Sequence, residues 1–412
     1  MSELEIRDVR AIITHPPGAR TLTVVKVETS EPELYGLGCA SFCTRPTAVA
    51  AAVDDYLKPF LVGKDPGEIE DIWQSCYVSS YWRSGPVLNN AISGVDQALW
   101  DIKGKVAGMP VYELFGGKSR EAAAVYVIPQ GRDLAECEDH TRELLEQGFH
   151  HIKFGWGSRM TEEEKAYHGR TIITDRASID NGSLLEPASI CRNIVSAFAR
   201  FREVFGPNPE ILFDVKAQMP PIQAIALAKD VEQYKPFFME DLLTPEDNDY
   251  YRLLREQTCT PIAMGELYTN PQEVVPVIKD QLIDFLRLHV SAIGGLTPAR
   301  KMAALCEAFN VRTAWHGSAD VSPVGHAANL MLDMNVWNFG VQEASVYLNT
   351  HEILKEVFPG TPELRNGYMW PNGRPGIGVD IDEELAARFP PKDLARPDER
   401  WCSRRPDGTV VR

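Results

Sequence analysis

The sequence is short of positive charge: 42 lysines and arginines face 58 aspartates and glutamates, a formal net charge of −16. A chain this acidic lacks the basic footprint that nucleic acids and anionic membrane surfaces require, so neither is an expected partner. A small anionic substrate stays open, because local cations or a metal suffice to hold one. Long apolar runs are also missing, and the opening MSELEIRDV carries Glu3 and Glu5 where a secretory signal would carry basic residues. The cytoplasm is the expected compartment. The eight cysteines, at 39, 43, 76, 137, 191, 259, 306 and 402, form no CxxC pair and no metal-ligand spacing. Reduced thiols are expected. The glycine-rich pieces GGLTPAR and GRPGIG do not follow the order strand, GxGxxG, helix, which argues against a dinucleotide site.

What is present is a change of rhythm along 412 residues, a length that calls for two domains or a barrel with a cap. In residues 1–121, LEIRDVRAI and TLTVVKVET have strand spacing, and AVAAAVDDYLKPFLVG, PGEIEDIWQSCYVSSYW and NNAISGVDQALWDIKGKVAG have helical spacing. The last of these stops at Gly108, before Pro110. An α+β unit is predicted there. From Ala122 to Glu343 strand and helix alternate, giving eight strands with crossover connections and predicting a parallel barrel over 122–355. The segment Ser158–Glu186 interrupts the alternation without a convincing element of its own, as a lid, a binding loop or a disordered stretch would. Residues 356–412 are turn-rich and are expected to return to the first domain.

Three apolar runs, ILFDVK, FFMED and IAMGE, each end on a carboxylate, and Asp214, Glu240 and Glu266 are spaced by twenty-six residues both times. One strand, one helix and two loops fill that interval, so the three acids are predicted at the same end of successive parallel strands. Hard oxygen donors converging there suit a divalent cation such as Mg²⁺. Lys153, Lys216, Arg287, His316 and Glu343 fall at the same end by the same reading. If the pleat continues past Asp214, Lys216 points the same way and stands beside the metal. A cation next to Mg²⁺ is pushed towards its neutral form, which makes a lysine a base. Metal plus base implies abstraction of the proton α to a carboxylate. Each residue also has a plainer reading: ion-pair partner for Lys216, structural lysine for Lys153, hydrogen-bonded strand end for His316, balance for the acids in Arg287. His289 fits core and site equally. Tyr81, Trp82 and Arg83 form an aromatic and basic cluster, either core edge or roof of a pocket.

The pieces EDIWQSCYVSSYWRSGPV, VDQALWDIKGKVAGMPVYELFGG, TPIAMGEL, LRLHVSAIGGLTPARKMAALCEAF, VRTAWHGSADVSPVGHAANL and RPGIGVDID resemble the enolase superfamily, and within it the D-mannonate dehydratase group of acid-sugar dehydratases. The resemblance spans nearly the whole chain. It implies an α/β fold, a modified (β/α)7β barrel with an N-terminal α+β capping domain completed by the C-terminal tail. It implies one Mg²⁺ per subunit on Asp214, Glu240 and Glu266, with substrate contacts from Glu266, Arg287, His316, Asp320 and Glu343. His316 is implied as acid or base, an acid sugar or other carboxylate as substrate, and a homo-oligomer as the assembly. The departures lie elsewhere. The group's second-strand arginine stands as Lys153, and its companion tyrosine has a counterpart only in Tyr167, within KAYHGR. Lys216 replaces a histidine, Cys43 a capping-domain asparagine and Ile128 a first-strand histidine. Lost hydroxyl-reading groups cost discrimination, so the expected activity is acid-sugar dehydration, weak or absent on D-mannonate, with Lys153, Lys216 or Tyr167 as base and Trp82 over the substrate. A racemase or epimerase using Lys153 opposite His316, and a non-catalytic acid-sugar-binding protein, are the alternatives.

Overall fold

The computed structural model describes residues 4–155, 185–345, 348, 351–391 and 403–411. Tyr167 and all of the 158–186 segment except Leu185 and Glu186 lie outside the described residues. The chain divides into two compact units, Met1–Tyr126 with Gly265–Ile278 and Leu286–Leu394, and Val127–Met264 with Lys279–Phe285 and Ala395–Arg412.

In the first unit, β1 (Ile6–Thr14), β2 (Leu22–Thr29) and β3 (Tyr35–Cys39) form an antiparallel meander. The 22-residue helix Pro86–Ala107 lies along it. Close approach is possible because β3 presents Gly36 and Gly38, where a Cβ would run into the carbonyls of Ala98 and Gly94. The helix starts on a proline and is closed by Gly108 at φ 68, the left-handed stop expected from the sequence. Two acids on this helix are buried and do structural work. Asp101 accepts from the backbone of Leu37 (3.0 Å) and Ile377 (2.7 Å) and from Lys105 (2.7 Å). Asp96 accepts from the backbone of Thr297 at 3.0 Å. The first part of the tail belongs to the same unit: Glu383 is bonded by Lys26 at 2.8 Å and by Arg10 at 2.7 Å, and Tyr35 donates to Asp380 at 2.8 Å. The described residues 403–411, expected to return here as well, fall in the second unit instead.

Among the described residues, eight short strands run from Ala123 to Glu343: β4 (Ala123–Val127), β5 (His151–Lys153), β6 (Glu210–Asp214), β7 (Phe238–Glu240), β8 (Ile262–Met264), β9 (Phe285–Leu286), β10 (Arg312–Thr313) and β11 (Gln342–Glu343). Apolar helix faces alternate with them, as the rhythm predicts. In the second unit β5, β6, β7 and β8 pair in parallel, in the register Lys153 with Leu212 and Asp214 with Glu240. Phe154, Phe198, Phe201 and Phe213 pack behind this sheet with centroids 5.0–5.9 Å apart, seating the helix Pro187–Phe205. In the first unit β11 pairs in parallel with β4, whose other edge takes the antiparallel strand Tyr368–Trp370. Among the described residues no helix is long and apolar enough to cross a membrane.

Candidate active site

Strand pairing in the second unit gathers three of the expected residues. Lys153 ends β5, Asp214 ends β6 and Glu240 ends β7. The Lys153 ammonium, almost fully buried, stands 3.1 Å from Glu240 and 3.5 Å from Asp214. Asp241, which the sequence did not single out, joins them: ligand atoms of Asp214, Glu240 and Asp241 all lie within 4.8 Å of one another. Its only sequence signal is adjacency to Glu240.

Lys216 reaches Asp214 by another route than the one expected. The pleat does not continue past Asp214, because Lys216 and Ala217 take left-handed φ values of 60 and 53. Two successive non-glycine residues in that region carry local strain. The turn lets the Lys216 backbone N–H donate to Asp214 Oδ1 at 2.8 Å while its ammonium pairs with Oδ2. Asp214 is thereby oriented by main chain.

The first unit collects the remaining acids around a histidine. Glu266 stands two residues past β8, not at its end, because Gly265 inserts a kink at φ 147. A Cβ there would stand 2.8 Å from the backbone of Arg287 and Leu288. Arg287, fully buried, is paired with Glu343 and lies 3.6 Å from Glu266. His316 is bonded on both sides, Nδ1 with Glu266 at 2.9 Å and Nε2 with Asp320 at 3.1 Å. Burial works against its charge, but Asp320 and Glu266 outweigh it and push its pKa up to about 10. The two carboxylates thus favour its charged form. Burial likewise opposes the charge of Asp320, yet the His316 imidazolium holds its carboxyl well below the usual range. Two further side chains fix this loop: Asn329 donates to the His316 carbonyl at 2.9 Å and Gln342 to the Trp315 carbonyl at 3.1 Å. His289, undecided from sequence, stacks on the His316 ring with centroids 4.7 Å apart. Trp82 is 79% exposed and packs edge-on against Tyr81, itself 76% exposed, so this cluster is not core edge.

Residues 9–116 match the family described as mandelate racemase / muconate lactonizing enzyme, N-terminal domain, and residues 136–385 match the enolase C-terminal domain-like family. The chain is 47% identical over the full length of both chains to a protein of Pantoea ananatis named D-galactonate dehydratase family member RspA. A family member of the same description from Enterocloster bolteae is 45% identical, again over all of both chains. Among solved structures, an enolase from Pantoea ananatis with bound D-gluconate and Mg superimposes with a TM-score of 0.91 at 46% identity, covering 99% of this chain and all of that one. A putative dehydratase from Mesorhizobium loti gives 0.78 at 25% identity, covering 93% and 98%. The fold is thus α/β, with an N-terminal capping domain and a C-terminal barrel, as expected. The relatives carry the D-galactonate name and not the D-mannonate one suggested by the motifs.

Proposed function

Because the chain belongs to the enolase superfamily, and within it to the group whose curated members are named D-galactonate dehydratase family members, we propose that it is a Mg²⁺-dependent acid-sugar dehydratase. The observation that carries this reading is the cluster of Lys153 with Asp214 and Glu240 at the ends of three adjacent parallel strands. The donors there fit the metal: carboxylate oxygens of Asp214, Glu240 and Asp241 lie within 4.8 Å of one another. Asp214 and Glu240 hold Mg²⁺ in this proposal, and Glu266 is added as third ligand by family resemblance. Bound there, a dication neutralises the substrate carboxylate and drives neighbouring ammonium groups towards their basic form.

The chain's own groups then divide the work. Lys153 or Lys216 takes the proton α to the carboxylate, with Tyr167, outside the described residues, as the family-derived rival. The electron pair left on carbon moves towards the β-carbon and expels its hydroxyl. His316, charged between Glu266 and Asp320, gives that hydroxyl the proton with which it departs as water. Arg287, Asp320 and Glu343 bind substrate oxygens, and Trp82 covers the substrate.

Acid sugars incubated with Mg²⁺ in D₂O and followed by proton NMR test the proposal, beginning with D-gluconate and D-galactonate. Loss of water with formation of a 2-keto-3-deoxy acid supports it. Deuterium exchange at the α-carbon without loss of water points instead to a racemase or epimerase. Binding without any exchange leaves a non-catalytic acid-sugar-binding protein. Turnover of D-mannonate is expected to be weak or absent, given Lys153, Lys216, Cys43 and Ile128.

A further inference from the structure

His289 leaves β9 two residues after Arg287, and its surroundings define it more closely than its sequence position does. Its Nδ1 faces the turn that follows and accepts from the backbone N–H of Ser291 at 3.2 Å and of Ala292 at 3.4 Å. That turn is itself anchored, since Ser291 Oγ donates to the Cys39 carbonyl at 3.1 Å within the core. A ring nitrogen that accepts backbone N–H groups carries no proton, so the neutral imidazole bears its hydrogen on Nε2. Burial, reinforced by the neighbouring His316 charge, pushes the ring's pKa down to about 4, which keeps it neutral across the working pH range.

The ring lies flat against His316, at 20° between planes, and polar atoms of His289, His316 and Asp320 fall within 4.8 Å of one another. Two histidines and a carboxylate at that spacing would also suit a transition metal. The proton on His289 Nε2 argues against it, as do the two carboxylates that already occupy both nitrogens of His316. What remains at this corner is a donor. It is uncharged, held in one tautomer by main chain, and only partly covered.

We propose that His289 is a specificity-determining residue, whose Nε2–H donates to a hydroxyl of the substrate lying beside His316. This rests on the acid-sugar reading above and adds to it a neutral donor next to the charged acid. The two histidines divide the polar work: His316 serves the leaving oxygen, as proposed above, and His289, its Nδ1 held by two backbone N–H groups, reads a hydroxyl that stays.

Two measurements test the assignment. Long-range proton–nitrogen NMR of histidine-labelled protein, with the signal assigned by its loss in H289F, is expected to show a neutral Nε2–H ring from pH 5.5 to 8. An Nδ1–H tautomer or a charged ring overturns the assignment. In calorimetric titration with D-gluconate in the presence of Mg²⁺, H289F keeps a ring on His316 but lacks the donor, and is expected to bind roughly 10-fold more weakly. H289Q, whose amide nitrogen stands near the Nε2 position, recovers part of the loss. One monodeoxy analogue of D-gluconate binds wild type and H289F alike, and it identifies the hydroxyl. Equal affinity of wild type and H289F for D-gluconate itself overturns this assignment alone. Failure of the wild-type protein to bind D-gluconate with Mg²⁺ counts against the acid-sugar reading, and takes this assignment with it.

Discussion

Replacing Lys153 by methionine keeps the apolar stem and removes the charge that faces two proposed metal ligands. The ammonium stands 3.1 Å from Glu240 and 3.5 Å from Asp214, with its side chain 6% exposed. At an effective dielectric of roughly 20, each contact amounts to about 5 kcal/mol of gross attraction. Taking the ions out of water cancels most of that. The relevant figure is the cost of leaving buried carboxylates uncompensated, about 3–5 kcal/mol. Lys216 still faces Asp214 in the variant, so the loss falls chiefly on Glu240. In EDTA the Tm of K153M is expected to drop by about 3–6 °C, read by scanning calorimetry. Saturating Mg²⁺ supplies the missing positive charge and stabilises the folded state by mass action. The rise in Tm on adding Mg²⁺ is therefore larger in K153M than in wild type, although the variant turns over less substrate. An EDTA melt within about 1 °C of wild type, or the same Mg²⁺-induced rise in both proteins, refutes the idea that Lys153 is the counter-ion of the ligand carboxylates.

Three further outcomes follow from buried charges. His316 is raised from 6.5 to about 10, so the stability it contributes is complete below pH 6.5 and lost as pH rises through 10. Denaturation in EDTA should show that decline, and D320N should make it smaller and shift it to lower pH. Burial raises Asp96 from 3.8 to about 7, and here the sign is opposite in effect: the group costs nothing below pH 3.8 and exacts its full penalty above pH 7. Wild-type stability should fall across that interval, and D96N should flatten the curve. D101A strands the backbone N–H groups of Leu37 and Ile377 together with Lys105, and should cost about 3–5 kcal/mol in urea denaturation, with Mg²⁺ affinity unchanged.

The strand-end acids were legible because a buried apolar run that stops on a carboxylate has few structural uses for it. Asp214 and Glu240 stand where the spacing puts them. Glu266 is displaced from its strand by a backbone kink at Gly265, and pattern counting does not register such kinks. Lys216 shows the same limit more sharply. Alternation assumes extended backbone, and nothing in the residue types of Lys216 and Ala217 announces positive φ. The eight strands were readable from rhythm although several span only two or three residues, since the helices between them carry the period. His289 could not be assigned from sequence, because its role depends on two backbone N–H groups whose direction only the folded turn fixes. Asn329 and Gln342 were invisible for a similar reason: each acts on a main-chain carbonyl in another element.

The turn after β6 has a consequence for how such a site diverges. Asp214 Oδ1 is held by the main-chain N–H of residue 216, a donor that every residue except proline supplies. Side chains at 216 can therefore be exchanged over evolutionary time while the carboxylate keeps its aim, provided the newcomer tolerates a left-handed backbone. A lineage can thus try new chemistry at the reacting carbon without first losing its metal. One of the positions where this chain differs from the acid-sugar dehydratases it resembles is thus one where the scaffold makes difference inexpensive.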